Sequence, residues 1–177
     1  MDVEKYFPEL KQINDKSLRS KVSEVWNKAM EMAGWEESDL KDIPFSLLTK
    51  GSGVNLVIHT RAVTRTALET AKVMIDSYGD KISINFDILI AGGLLHDIGK
   101  LLEYRRAGDD FTKSASGKIV RHPFSGMALA FASGLPDEVQ HMIAVHAHEG
   151  DGGFRSVEAI IVNHADFVNF ESLGGKI

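Results

Sequence analysis

The chain has 177 residues, 44% hydrophobic and 25% charged, with a formal net charge of -5 and no cysteine. That balance describes one folded domain with an ordinary core and excludes disorder, collagen-like repeats and a disulfide scaffold. The absence of cysteine also excludes a thiol nucleophile and Cys-ligated zinc, and the negative charge disfavours a nucleic-acid duplex as partner.

No apolar run approaches the ~20 residues that cross a bilayer, so no membrane partner is expected. The amino terminus has no basic segment followed by an apolar one, and a cytoplasmic protein is the expectation. Residues 17–33 set Leu18, Val22, Val25, Ala29 and Met32 on one helical face, with Gly34 as the stop. Residues 34–55, carrying Pro44, Gly51 and Gly53, read as a connection containing a short helical turn. From 56 to about 78 the stripe Leu56, Val63, Ala67, Ala71 and Met74 recurs at helical spacing, and His59 shares that inward face. Arg65 lies on another face and takes no role.

Asn85 can cap a third helix running through Phe86, Ile88, Leu89, Ala91, Leu94, Leu95 and Ile98, apolar nearly all round and therefore central. Residues 103–121 are polar and read as a loop. Arg105, Arg106, Lys113, Lys118 and Arg121 stand there against Glu103, Asp109 and Asp110, which suits either an anionic ligand or a solvated loop of mixed charge. Pro123 suits a first helical position and Gly134 a stop, with Met127, Ala130 and Phe131 inward. Pro136 opens a further helix that carries Val139, Met142, Ile143 and His146 and ends at Gly150; Ser156 can cap the last one, over 157–170. No strand alternation and no repeat is visible. The expectation is an all-α helical bundle, six helices of two turns or more, forming one domain over 1–177 with N-terminal helices in 1–55 and a metal-site core in 56–170.

Asp97 lies within the most apolar of these helices, where an ionised carboxylate needs a cation beside it. Lys100, three residues on, is one such partner; a metal is another. His59, His96, His122, His146 and Asp166 each sit on or at the start of a separate predicted helix, an arrangement by which a bundle converges ligands on one point. Imidazole and carboxylate without thiolate suit a divalent transition metal, Mn, Fe, Co, Ni or Zn, as one ion or as two sharing an Asp. His141 lies on the polar flank of its helix, and His164, two residues before Asp166, turns away from it; both read as non-ligands.

The order His59, His96-Asp97, His122, His146, Asp166 resembles the HD-domain superfamily of metal-dependent phosphohydrolases, and His96-Asp97-Ile98-Gly99-Lys100 is similar to its central His-Asp-x-Gly-Lys motif. The resemblance covers residues 59–166. It implies an HD-domain-like bundle, with His59, His96, Asp97 and Asp166 around one metal and Asp97 bridging to a second held by His122 and His146. It implies hydrolysis of a small phosphorylated substrate, a nucleotide being one such kind, by metal-activated water, with Asp97 and Lys100 as candidate catalytic residues and Lys100 either contacting phosphate or forming a plain salt bridge. His148 is a candidate additional ligand, phosphate contact or solvent-facing side chain, since some dinuclear relatives place two adjacent histidines where this chain has His146-Ala147-His148. The Gly-Tyr-Pro tripeptide of the HD-GYP branch is absent, so a cyclic-di-GMP phosphodiesterase is not expected. The alternatives are a mixed-valent di-iron oxygenase, which some relatives are with nearly the same ligands, and a regulatory HD module.

Overall fold

The computed structural model describes residues 1–176, except for the side chain of Lys50. Its long helices are α1 (Lys16–Ala33), α2 (Leu56–Tyr78), α3 (Phe86–Leu95), α4 (His122–Ala132), α5 (Asp137–Val145) and α6 (Val157–Ser172). The expected caps start them. Asp15 accepts from the amides of Ser17 and Leu18, Asn55 from Ile58, Asn85 from Asp87 and Ile88, and Ser156 from Ala159. Gly34 ends α1 in the left-handed conformation at φ 71°.

Helix α3 is the axis of the bundle. Every residue from Ile88 to Leu95 is buried, and the helix packs against α1, α2, α5 and α6. An apolar stretch without a polar face can be accommodated only where neighbours cover it on all sides. No helix among the described residues is long and apolar enough to cross a membrane.

Four local expectations differ from the structure. Helix α3 stops at Leu95, and residues 96–99 form a tight turn with Ile98 N bonded to Leu95 O and Lys100 N to Asp97 O, before a short helical turn at Lys100–Glu103. Helix α5 likewise stops at Val145, with His146 as its cap rather than a member of a helix reaching Gly150. Met32 is 61% and Phe131 70% exposed. In α1 the buried stripe includes Trp26 and Met30 and ends at Met30; in α4 it includes Gly126, Leu129 and Ala130, and Phe131 falls about 100° beyond Ala130.

The fourth difference is a small sheet inside the stretch read as a loop. Strands β1 (Tyr104–Ala107) and β2 (Asp110–Lys113) pair antiparallel, Tyr104 opposite Lys113 and Ala107 opposite Asp110. Gly108, at φ 63°, turns the chain between them. The hairpin is anchored by Arg106 on the Asp39 carboxylate at 2.8 Å and by Phe111 against Trp35.

Candidate metal centre

Each predicted ligand sits at the end or on the inner face of a different element. His59 is one turn into α2, His96 and Asp97 form the turn after α3, His122 begins α4, His146 caps α5, and Asp166 lies mid-way along α6. The turn at 96–99 matters because neighbouring residues in a continuous helix diverge by about 100°, whereas here both His96 and Asp97 reach the same interior point. Gly99 makes the turn fit. A Cβ there would lie 2.0 Å from the His122 carbonyl oxygen, so only glycine lets this turn and the start of α4 approach so closely.

The donor atoms fall into two groups. Asp97 Oδ2 is 3.4 Å from His59 Nε2 and 3.3 Å from His96 Nε2, and Asp166 Oδ1 is 3.0 Å from His59 Nε2. The other oxygen, Oδ1, is 3.3 Å from His122 Nε2 and 3.5 Å from His146 Nε2. Within each group all donor atoms lie within 4.8 Å of one another. Separations of 3.0–3.5 Å suit atoms that share an ion at ~2.1 Å, since tetrahedral or octahedral edges around such an ion are ~3.0–3.4 Å long.

The proton inventory supports a cation more strongly than distance does. His96 Nδ1 is bonded to the Gly93 carbonyl at 2.7 Å, His146 Nδ1 to the Ile143 carbonyl at 2.8 Å, and His122 Nδ1 to the Glu103 carboxylate at 3.1 Å. Because those partners only accept, Nδ1 carries the proton in each ring and the neutral imidazole presents a lone pair at Nε2. His122 Nε2 and His146 Nε2 are then 3.2 Å apart, lone pair towards lone pair, a contact that a shared cation turns from repulsive to favourable. His96 Nε2 and Asp97 Oδ1 are buried with no hydrogen-bond partner. The residues therefore fit a metal by their chemistry, not only by their type.

Among the described residues, Lys100 is the one cation bonded to Asp97. Its Nζ is 2.6 Å from Asp97 Oδ2, and both side chains are buried. Burial alone would raise the Asp97 carboxyl's pKa, but the Lys100 ammonium beside it holds it well below the usual carboxylate range. Burial would likewise lower Lys100, and the Asp97 charge outweighs it, leaving the ammonium pKa raised. Asp166 is held at about 2 because, against its burial, it is bonded to His59 and faces His96.

Glu103, counted on sequence only as a loop acid, is the support of the second group. One oxygen accepts from His122 N at 2.7 Å and His122 Nδ1 at 3.1 Å; the other accepts from Arg121 at 2.6 Å and faces Lys113 at 3.1 Å. Burial would raise its pKa, and His122, Arg121 and Lys113 together bring it down to about 2. Burial holds His122 itself down to about 4, in the neutral form that metal binding needs. The outward side of the cluster opens into a cavity of about 330 Å³, whose wall includes Lys100, Glu103, His122 and Asp166.

His148 stands apart from both groups. Its Nδ1 is 2.9 Å from Asp151, its ring packs edge-on to Phe167, and it lines the cavity. His141 accepts from Ser156 N and stacks on Phe154, while His164 is exposed.

The family described as HD domain matches residues 56–169. The dihydroneopterin 2',3'-cyclic phosphate phosphodiesterase of Methanocaldococcus jannaschii is 31% identical over 166 residues, 88% of this chain and 64% of that protein. The ribonuclease Y of Mesoplasma florum is 27% identical over 167 residues, 93% of this chain and 29% of that protein. The chain thus spans less than two thirds of the length of either relative. No solved structure matches the chain. From the converging histidines and carboxylates of residues 59–166 and from the match over 56–169, the chain belongs to the HD-domain family.

Proposed function

We propose that the protein is a metal-dependent phosphohydrolase that cleaves a small phosphoester, with two divalent transition-metal ions held around Asp97. His59, His96, Asp97 and Asp166 would hold the first, and Asp97, His122 and His146 the second. The observation that carries the reading is the division of Asp97, one oxygen towards each imidazole group, with protons locked on the far side of three of the rings. Nitrogen and oxygen donors without thiolate fit Mn, Fe, Co, Ni or Zn.

Bound divalent cations supply charge neutralisation at phosphoryl oxygens and acidify water towards neutrality. The chain's own groups do the rest. Glu103 keeps His122 in the metal-binding tautomer, and Gly93 and Ile143 carbonyls do so for His96 and His146. Lys100 lines the cavity beside Asp97 and offers a cation to an incoming phosphoryl group. With no cysteine in the chain, no thiol competes as nucleophile. The two relatives, one named a cyclic phosphate phosphodiesterase and the other a ribonuclease, support a phosphodiester as the bond cleaved.

The test is metal analysis of protein purified without added ions, followed by a phosphoester panel with and without chelator and under strict exclusion of oxygen. Hydrolysis should vanish with chelator, return with a divalent transition metal and survive anaerobically. Lys100→Ala should keep its metal yet lose about tenfold to a thousandfold in kcat/KM. Turnover that needs dioxygen would replace this reading with the di-iron oxygenase.

A further inference from the structure

His146 enters the centre from the end of α5. It keeps helical angles at φ -67° and ψ -25°, and the next residue, Ala147, swings to φ -110° and ψ -168°. A helix end leaves its last carbonyls without amide partners, and His146 is completely buried, so donors must come from elsewhere in the chain. Side chains supply them. The Ile143 carbonyl, which a continuing helix would give to the Ala147 amide, accepts from His146 Nδ1 at 2.8 Å. Arg155 Nε donates to the Val145 carbonyl at 2.8 Å and Arg155 Nη2 to the Ala147 carbonyl at 3.0 Å. Between them, Asn163 Nδ2 donates to the His146 carbonyl at 2.6 Å.

Three consecutive carbonyls are thus held by two side chains from outside the helix. Gly150 lets the chain fold back over the same point, because a Cβ there would lie 2.5 Å from the Val145 carbonyl oxygen. Asp151 accepts from Arg155 Nη2 at 2.9 Å and fixes the guanidinium. Asn163 is buried on α6 three residues before Asp166, near the same face, so one helix delivers a carboxylate to the first group of ligands and a clamp to the backbone behind the second. The atom that this clamp governs is His146 Nε2, 3.5 Å from Asp97 Oδ1 and 3.2 Å from His122 Nε2. Metal–ligand distances hold to within about 0.2 Å, so a small displacement of the backbone at 146 takes the ring out of range.

We infer that Asn163 and Arg155 are positioning residues for metal binding by the His122 and His146 group: by capping the carbonyls of Val145, His146 and Ala147 they end α5 where the His146 imidazole meets Asp97. The inference rests on the two-ion reading for what His146 binds.

The test uses the full chain and four variants. Arg155→Met keeps the stem and removes the guanidinium, Asn163→Leu keeps the volume and removes the donor, and Arg155→Lys is the conservative change. Asp15→Ala, which removes the cap of α1, is the control for lost stability alone. Metal stoichiometry and affinity are read by competition with a chromophoric chelator. The unaltered protein and Asp15→Ala should bind two ions. Arg155→Met and Asn163→Leu should keep the first ion and bind the second about 10- to 100-fold more weakly, with Arg155→Lys in between. A second measurement needs no metal: long-range proton–nitrogen correlation spectra of the imidazoles in the metal-free proteins. His146 should be in the Nδ1–H form in the unaltered protein and the control, and a mixture of tautomers in Arg155→Met and Asn163→Leu. An unchanged second affinity in the folded variants, equal loss of both ions, or the same loss in Asp15→Ala overturns the inference. Arg155 is partly exposed, so Arg155→Met decides alone if Asn163→Leu does not fold. Fewer than two ions in the unaltered protein overturns the two-ion reading instead, and the tautomer then decides the positioning role: an unchanged Nδ1–H form in the variants overturns it, and loss of that form upholds it.

Discussion

Glu103 and Asp97 are both buried carboxylates of the centre, and they differ in what each one touches. Asp97 faces both imidazole groups; of the histidines, Glu103 touches His122 alone, from behind. Asp97→Ala should therefore remove metal from both groups, because the charge shared between them is gone. Glu103→Gln should act on one group alone. The amide keeps the shape but loses the charge that holds Arg121 and Lys113, so metal affinity of the His122 and His146 group should fall by about 10- to 100-fold, with the other group retained. Competition with a chromophoric chelator, read with metal stoichiometry, separates the two outcomes; equal loss in both variants would contradict the division. At this scale the sequence shows the side chains that meet at the centre and hides those that brace it. His59, His96, Asp97, His122, His146 and Asp166 stand out because charged or imidazole groups on apolar faces need a reason to be there. Glu103 sits among Arg105, Arg106 and Asp109 in a polar stretch, and nothing in that composition marks one carboxylate as buried.

Caps and apolar periodicity are local, and they locate α1, α2 and α6 to within a residue or two. What stops α3 at Leu95 is not local. Leu94, Leu95 and Ile98 continue the apolar spacing past the break, and the turn is where α4 comes closest, with Gly99 the point of contact. The hairpin at 104–113 had a signal, the Gly108-Asp109 pair between two four-residue segments, but its faces read buried only at Tyr104 and Phe111 and gave no alternation to count. The glycine contact leads to a prediction for Gly99→Ala. The new methyl would overlap the His122 carbonyl at 2.0 Å and crowd Gly126 N at 2.8 Å, both backbone atoms that cannot swing aside. Relief requires α4 to move away from the 96–99 turn, which carries His122 away from Asp97. The variant should be destabilised by about 1–3 kcal/mol, as overpacked cores are, and should lose metal from the His122 and His146 group first. Denaturant titration and metal stoichiometry check the two halves; unchanged stability would show that the contact has slack the geometry denies.

The matched family region begins at residue 56, yet the residues before it are built into the same interior. Trp26 donates its indole N–H to the Leu94 carbonyl in the middle of the bundle, and Trp35 donates to the Leu101 carbonyl just past the His-Asp turn. Glu9, buried, holds Arg61 of α2, and Asp87 at the start of α3 accepts from the amides of Asn14 and Asp15. Removing residues 1–55 would expose one side of α3, an apolar helix with no polar face to offer water. The proposal is that 1–55 and 56–170 unfold as one cooperative unit. Both tryptophans lie in the first segment, whereas most of the helix lies in the second. Tryptophan fluorescence and far-ultraviolet circular dichroism therefore report on different parts of the chain. The two signals should give coincident thermal transitions, because a single unit has one midpoint whichever part is watched. Chelation should lower both midpoints together: a metal that binds only the folded state stabilises the whole unit, including tryptophans that never touch it. If fluorescence changes before the helical signal, or if chelator shifts the helical signal alone, residues 1–55 fold independently of the metal-site core and the single-unit proposal fails.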